Sequence, residues 1–231
     1  MVLGLKKILV ILGFALISTG AQSQVLISLI FGDKLSAPGV EFGLEGGYNF
    51  STLTGMESSS QLSTLNLGFY FDIRLKNQWY LNTGILVKSK MGLGKLSQND
   101  LEFLNAEIYP EAGDYDQIVS YFLLPILGEY KFKKHLYLEA GPQFGLMHNA
   151  YVEFKSDVEG KDARVREYNK DMIHRIDGGI VAGMGYTLLK GSGITIGAKY
   201  YYGFGNVYKE KTGSRNRSLF LKLNIPIGES K

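Results

Sequence analysis

The chain has 231 residues, with 25 basic and 22 acidic side chains and a formal charge of +3, so it lacks the basic surplus that marks a nucleic-acid binder. It contains no cysteine, which excludes disulfides, thiolate metal sites and a lipid-modified cysteine at a processed N-terminus. Mean hydropathy is near zero despite 15 Tyr and 13 Phe, and after Gly20 no run approaches the roughly 18 apolar residues of a spanning helix.

The N-terminus reads as an export signal. Lys6 and Lys7 precede an apolar run over residues 8–19, and Ala21-Gln22-Ser23 is an A-x-S cleavage site. The run is short for a permanent helical anchor, which needs about 20 apolar residues. Residues 1–23 are therefore expected to be removed, leaving 24–231 as one domain that is nearly neutral once Lys6 and Lys7 are gone.

From residue 40 onward, eight stretches alternate apolar and polar residues with a period of two, the signature of strands with unlike faces. The first, 40–48, places Phe42, Leu44 and Tyr48 on one face and Glu41, Gly43 and Glu45 on the other. The second, 65–74, sets Leu65, Leu67, Phe69, Phe71 and Ile73 against Asn66, Gly68, Tyr70, Asp72 and Arg74. The third, 79–90, points Trp79, Leu81, Ile85 and Val87 outward and Tyr80, Asn82, Lys88 and Lys90 inward. The fourth, 118–132, and the fifth, from Leu136 to Leu146, turn Ile118, Phe122, Leu124, Ile126, Leu138 and Phe144 outward and Tyr121, Glu129, Lys131, Tyr137 and Glu139 inward. The sixth and seventh, 175–186 and 194–204, share an outward phase through Ile176, Ile180, Met184, Tyr186, Ile196, Tyr200, Tyr202 and Phe204. The eighth carries Leu219, Leu221, Leu223, Ile225 and Ile227 outward, with Phe220, Lys222 and Asn224 inward.

Each stretch is about the 9–11 residues of a tilted transmembrane strand, and only a closed barrel leaves no unpaired backbone in hydrocarbon. The expected fold is therefore all-β: an eight-stranded antiparallel transmembrane up-and-down β-barrel behind an N-terminal signal peptide, with outer-membrane lipid as its surroundings. Connection lengths orient it. The links near Lys76-Asn77, Lys133-Lys134 and residues 189–192 are short, whereas 49–63, 91–117, 150–174 and 205–217 are long. Short turns belong to the periplasm and long loops to the exterior.

The inward ionisable residues are Glu41, Glu45, Asp72, Glu129, Glu139 and Asp177 against Arg74, Lys88, Lys90, Lys131, Arg175, Lys199 and Lys222. The signs nearly cancel, an eight-stranded barrel is just wide enough to be filled by side chains, and buried charges need partners. A plugged lumen follows, with inward glycines making room for inward tyrosines; the alternative is an ion path lined by the same charges. Pro125, Pro142 and Pro226 fall inside strands, where proline removes a ladder bond, so bulges are expected there.

Several segments resemble the PorT-like outer-membrane β-barrel proteins of Bacteroidota: Phe31-Gly32-Asp33-Lys34-Leu35 before Glu41-Phe42-Gly43-Leu44, Tyr121-Phe122-Leu123-Leu124-Pro125-Ile126-Leu127, Tyr137-Leu138-Glu139-Ala140-Gly141-Pro142, the run from Asp177 to Tyr186, and Asn216-Arg217-Ser218-Leu219. The resemblance spans most of residues 24–231. It implies an eight-stranded barrel and makes Pro125 and Pro142 family features, but implies little about activity. The family's namesake is linked to secretion across the outer membrane, and no motif here carries that role. Such barrels commonly finish on an aromatic residue; this chain finishes Ile225-Pro226-Ile227-Gly228-Glu229-Ser230-Lys231.

Catalytic signals are thin. His148 and His174 belong to the external ends of neighbouring strands, as in rim-active lipid enzymes, but no serine is marked as a nucleophile. The loop 91–117 is acidic through Asp100, Glu102, Glu107, Glu111, Asp114 and Asp116, yet its spacing matches no calcium loop; Ser97 before Asp100 and Leu101 is suited to cap a short helix. No cofactor is expected. The reading is a non-enzymatic barrel with a structural or partner-docking role, its partner a periplasmic or surface protein; the alternatives are a small-solute channel, a rim-active lipid enzyme, or a soluble lipocalin-like barrel, which the aromatic strand ends oppose.

Overall fold

The computed structural model describes residues 39–132, 135–158, 161–188 and 193–227; the signal expected at 1–23, the segment 31–35 and the turns expected at Lys133-Lys134 and 189–192 lie outside them. Nine antiparallel strands form one sheet: β1 (Val40–Leu53), β2 (Leu62–Lys76), β3 (Trp79–Leu93), β4 (Asp114–Lys131), β5 (Leu136–Val158), β6 (Lys161–Tyr168), β7 (Ile176–Thr187), β8 (Thr195–Gly203) and β9 (Asn216–Pro226). Their order is β4-β3-β2-β1-β9-β8-β7-β5-β6, and a β4–β5 pairing closes eight of them into a ring. The strand β6 stands outside the ring, paired to the upper part of β5 from Tyr151↔Tyr168 to Val158↔Lys161. That hairpin occupies the loop expected at 150–174.

The phase of each strand follows the alternation of its residues. On β2 the buried Asn66, Gly68, Tyr70 and Asp72 face in, while Leu65 and Leu67 are more than two-fifths exposed. Leu124, Ile126, Leu138, Phe144, Ile180, Met184, Ile196 and Leu221 are exposed in the same way, and Leu223 only slightly less. So continuous an apolar exterior is stable against lipid and not against water. Aromatic side chains stand at its borders. Trp79 meets Tyr130 edge-on at 5.0 Å near the short turns, and Tyr202 meets Phe204 at 5.9 Å near the long loops.

The prolines do not sit in bulges. Across Pro125 the β3–β4 ladder passes from Thr83↔Ile126 to Leu86↔Leu123 without a change of register, and across Pro142 the β4–β5 ladder passes from Pro125↔Gln143 to Gly128↔Ala140 likewise. Each proline forfeits local pairing on one side and keeps it on the other, as Pro142↔Ile180 shows; Pro226 pairs with Gly43 at the end of β9. The bulges lie elsewhere, at Leu67/Gly68, Arg74/Lys76, Leu86/Ser89 and Ser120/Tyr121. Three expected outward residues are buried: Phe42 packs against the Phe69 and Phe71 rings at 5.8 and 4.9 Å, Ile118 packs with Leu62 and Tyr151 above the lipid-facing region, and Ile227 follows the end of β9, its N–H bonded to Phe42 O at 2.8 Å.

Small residues facing large ones fill the barrel. A Cβ on Gly185 would lie 2.3 Å from the Tyr137 hydroxyl, whereas one on Gly178 would meet only Phe144 Cδ1 at 3.9 Å. Gly185→Ala is accordingly expected to cost about 1–3 kcal/mol by overpacking, and Gly178→Ala less than about 0.5 kcal/mol. Urea unfolding of the two variants in lipid bilayers, followed by tryptophan fluorescence of Trp79, checks the contrast.

Candidate functional site

The lumen divides into a charged half toward the short turns and a half toward the long loops filled by apolar and neutral polar side chains around the single carboxylate of Asp177. In the charged half, Lys199 on β8 reaches across to Glu45 on β1, Nζ to Oε1 at 2.6 Å, with both side chains at most 4% exposed. Lys222 on β9 pairs equally closely with Glu139 on β5. Lys131 on β4 holds Asp72 at 2.8 Å and Glu129 at 3.3 Å, and its ammonium lies 4.3 Å from the centre of the Tyr80 ring. Asp72 also accepts a bond from Asn82 Nδ2, and Glu41 accepts one from the Tyr70 hydroxyl at 2.8 Å. Charges taken this far from water persist only in such matched pairs.

Of the thirteen residues expected to form the lumen network, Glu41, Glu45, Asp72, Glu129, Lys131, Glu139, Lys199 and Lys222 stand together in this half. Asp177 is buried separately near the other end, where its carboxylate accepts bonds from Asn216 Nδ2 at 2.8 Å and Gly178 N–H at 2.9 Å. Four residues are placed differently. Arg74 is exposed at the β2–β3 turn, its Nε bonded to Asn77 O. Arg175 is exposed just before β7 begins, so the inward phase of that strand does not reach it. Lys88 and Lys90 are turned off the lumen by the bulge between Leu86 and Ser89, which inserts one residue and inverts the parity above it. Ser89 and Met91 take the inward positions instead, with Ser89 Oγ donating to Asn66 Oδ1 at 2.8 Å.

A vestibule of about 290 Å³ opens at the charged end, lined by Glu41, Asp72, Arg74, Tyr80, Lys131 and His135 among others. The opposite end is closed. Leu86, Leu123, Tyr121, Val119, Met91, Leu93 and Phe220 fill the upper lumen, and the long loops add Leu96, Leu101, Leu104, Val207 and Tyr208 to the same cluster. Sequence reading missed this cap, because its members sit in segments without strand periodicity.

The loops interlock through polar contacts. Between β3 and β4 lies a short helix, α1 (Gln98–Phe103), with Ser97 as its N-cap accepting from Asp100 N–H, as the sequence predicts. Asp100 on α1 accepts from the Glu57 and Ser58 N–H groups at 3.1 and 2.8 Å and from Ser58 Oγ at 2.6 Å, tying the first long loop to the second. Phe103 meets Tyr208 edge-on at 5.2 Å, and Lys211 Nζ lies 4.5 Å from the Phe103 ring centre, which ties in the last loop. Arg215 N–H donates to Thr54 Oγ1 at 3.0 Å. Burial alone would push the Asp100 carboxyl up, but the bonds from Ser58 and Glu57 outweigh it and hold it below the usual carboxylate range.

The residues considered for chemistry are dispersed or already engaged. His148 stacks on Phe122 at 4.5 Å, the backbone N–H of His174 donates to Val207 O, and among the described residues neither imidazole bonds a serine or a carboxylate. Asp116 accepts from Lys95 N–H and pairs with Lys155, and Asp114 lies 3.8 Å from Lys95. Among the described residues no group of three or more His, Asp or Glu is arranged to hold a metal ion.

Residues 21–209 match the family model described as outer membrane protein beta-barrel domain. Solved structures similar in fold include Ail of Yersinia pestis, determined with the heparin analogue sucrose octasulfate, at 13% identity over 81% of this chain and 98% of that one (TM-score 0.44). Neisserial surface protein A shares 11% identity over 82% and 98% (TM-score 0.41), and OprG of Pseudomonas aeruginosa 11% over 84% and 97% (TM-score 0.34). No curated protein matches the chain.

Two outcomes follow from the buried contacts. Lys199→Met strands Glu45 and is expected to destabilise the barrel by about 3–5 kcal/mol, whereas the double change with Glu45→Leu recovers most of the loss; urea titration of the three proteins measures both. For Asp100, a folded-state pKa below the unfolded one means that its stabilisation is present above the ordinary carboxylate range and lost as pH falls through the depressed value. Proteolytic nicking of the external loops should stay slow down to that acid range, and Ser58→Ala should move its onset to higher pH.

Proposed function

The chain belongs to the outer membrane protein beta-barrel domain family, and from that premise we propose that it is a non-enzymatic outer-membrane barrel, closed to solutes, whose external cap serves as a rigid docking platform. The observation that carries this reading is the double closure of the lumen. Buried Lys199–Glu45 and Lys222–Glu139 pairs block one half, and the apolar cluster continuous with Leu101, Leu104 and Tyr208 blocks the other. A conducting path needs hydrated, exchangeable charges; these are dehydrated and matched.

The cap favours docking because four loops held by mutual hydrogen bonds and ring contacts present one pre-organised surface, which lowers the entropic cost of binding. A partner docking on it is a surface protein, because the cap stands on the external side of the membrane. Within the family, the strings Tyr121-Phe122-Leu123-Leu124-Pro125 and Tyr137-Leu138-Glu139-Ala140-Gly141-Pro142 support a PorT-like assignment, and cleavage after Ser23 would release the mature chain. Purified protein in planar bilayers is expected to give no single-channel conductance; the Leu101→Ser/Leu104→Ser variant, which loosens the cap but leaves the ion pairs, should also stay silent. Stable unitary currents from the unmodified protein would overturn the closed-barrel reading.

A further inference from the structure

The two lysines displaced from the lumen take no part in its charge network. Leu86 faces Leu123 and Ser89 faces Tyr121, so Val87 and Lys88 together oppose the single residue Phe122, and both are exposed. Lys88 pairs across β2 with the lipid-facing Leu67, and Lys90 pairs across β4 with Ser120. Both therefore leave the outer surface of the barrel. Among the described residues no carboxylate lies within ion-pair distance of either ammonium.

Their height matters. Lys88 lies nine residues above the girdle residue Trp79 on the same strand; at about 3.3 Å per residue and a tilt near 40°, that is about 23 Å, against an apolar band about 25 Å tall. Lys88 and Lys90 thus stand where hydrocarbon gives way to headgroups of the external leaflet. Phe122 and His148, stacked beside them, form an interfacial aromatic pair. The Lys90 ammonium is held in place by donating to the Tyr151 hydroxyl at 3.3 Å, and Arg166 covers the Tyr151 ring at 5.0 Å. Farther along the β5–β6 hairpin, Arg166 bonds Glu153 at 2.7 Å, and Lys155 bonds Asp116 and Glu153.

We propose that Lys88 and Lys90 form a docking site for a phosphate group of an outer-leaflet lipid, with the acyl chains lying along Leu67 and Phe122 and the phosphate oxygens accepting bonds from both ammonium groups. The pair sits about 7 Å apart along the strand, close enough to share one phosphate, and Tyr151 pre-orients one of them. The bulge is the device that makes the site: with a regular strand, both lysines would enter the lumen. The proposal does not depend on whether the lumen conducts.

The test uses the mature barrel in zwitterionic nanodiscs, titrated with bis-phosphorylated lipid A or its dephosphorylated form and read by native mass spectrometry. The wild type should retain the phosphorylated lipid preferentially, and Lys88→Gln/Lys90→Gln should weaken that retention by about tenfold or more, as expected for the loss of charge-assisted bonds. Lys88→Arg/Lys90→Arg should restore it, while Lys209→Gln on the cap should leave it unchanged; heat-modifiable migration verifies that each variant is folded. Equal retention of the two lipids, or no loss in the Gln variant, overturns the site. Binding of inorganic phosphate as strong as that of the lipid would overturn the lipid assignment.

Discussion

The structure depends on one constraint: backbone groups inside hydrocarbon have no water to bond, so every strand must be paired on both sides. The chain meets it with a β4–β5 ladder of long reach and a β1–β9 ladder that joins the first strand to the last. Closure assigns each residue to lumen or lipid by parity alone, and the narrowness of an eight-stranded ring forces what enters the lumen to be packed or paired. The ion pairs, the glycine–tyrosine complementarity and the exposed leucines are consequences of that single geometric decision. Even the prolines obey it, giving up pairing on one edge while the register runs on unchanged.

The two ends of the barrel solve the filling problem by different physics. Toward the short turns, lysines and carboxylates from opposite walls meet at hydrogen-bond distance, which is tolerable because each charge finds its partner with little water to compete. Toward the exterior, leucines, tyrosines and a short helix make a core like that of a small soluble domain, capped by loops. Asp100 joins the two descriptions: it is a buried carboxylate satisfied wholly by hydrogen bonds from a neighbouring loop, holding the cap in register. A surface built in this way is rigid enough to present a fixed shape to a partner and stands where a partner outside the cell would reach it.

Bulges qualify the parity rule, and they do so where the chain leaves the bilayer. One extra residue near Val87 sends two lysines from the lumen to the outer rim, and another near His148 re-phases β5 so that Ala150, Val152 and Phe154 join the capped core. The long β5 and the added β6 then carry the sheet beyond the membrane, where the need for eight-fold closure no longer applies. Below the bulges the residues answer to lipid; above them they answer to water and to one another.

Alternation by itself determined the class, the eight transmembrane strands, and most of their inward and outward residues over the lipid-facing region. A period of two is a local property that any strand displays in its own residues, as Leu65 to Ile73 do. The choice of Lys199 for Glu45 and Lys222 for Glu139 was decided only by the tertiary structure, since the partners lie 154 and 83 residues apart and meet through ring closure. The cap was equally hidden: Leu101, Leu104 and Tyr208 have no period to read, and their burial depends on loops converging from separate hairpins. The same holds for Lys88 and Lys90, because a bulge is fixed by how two neighbouring strands pair, and no single strand records the pairing of its neighbours.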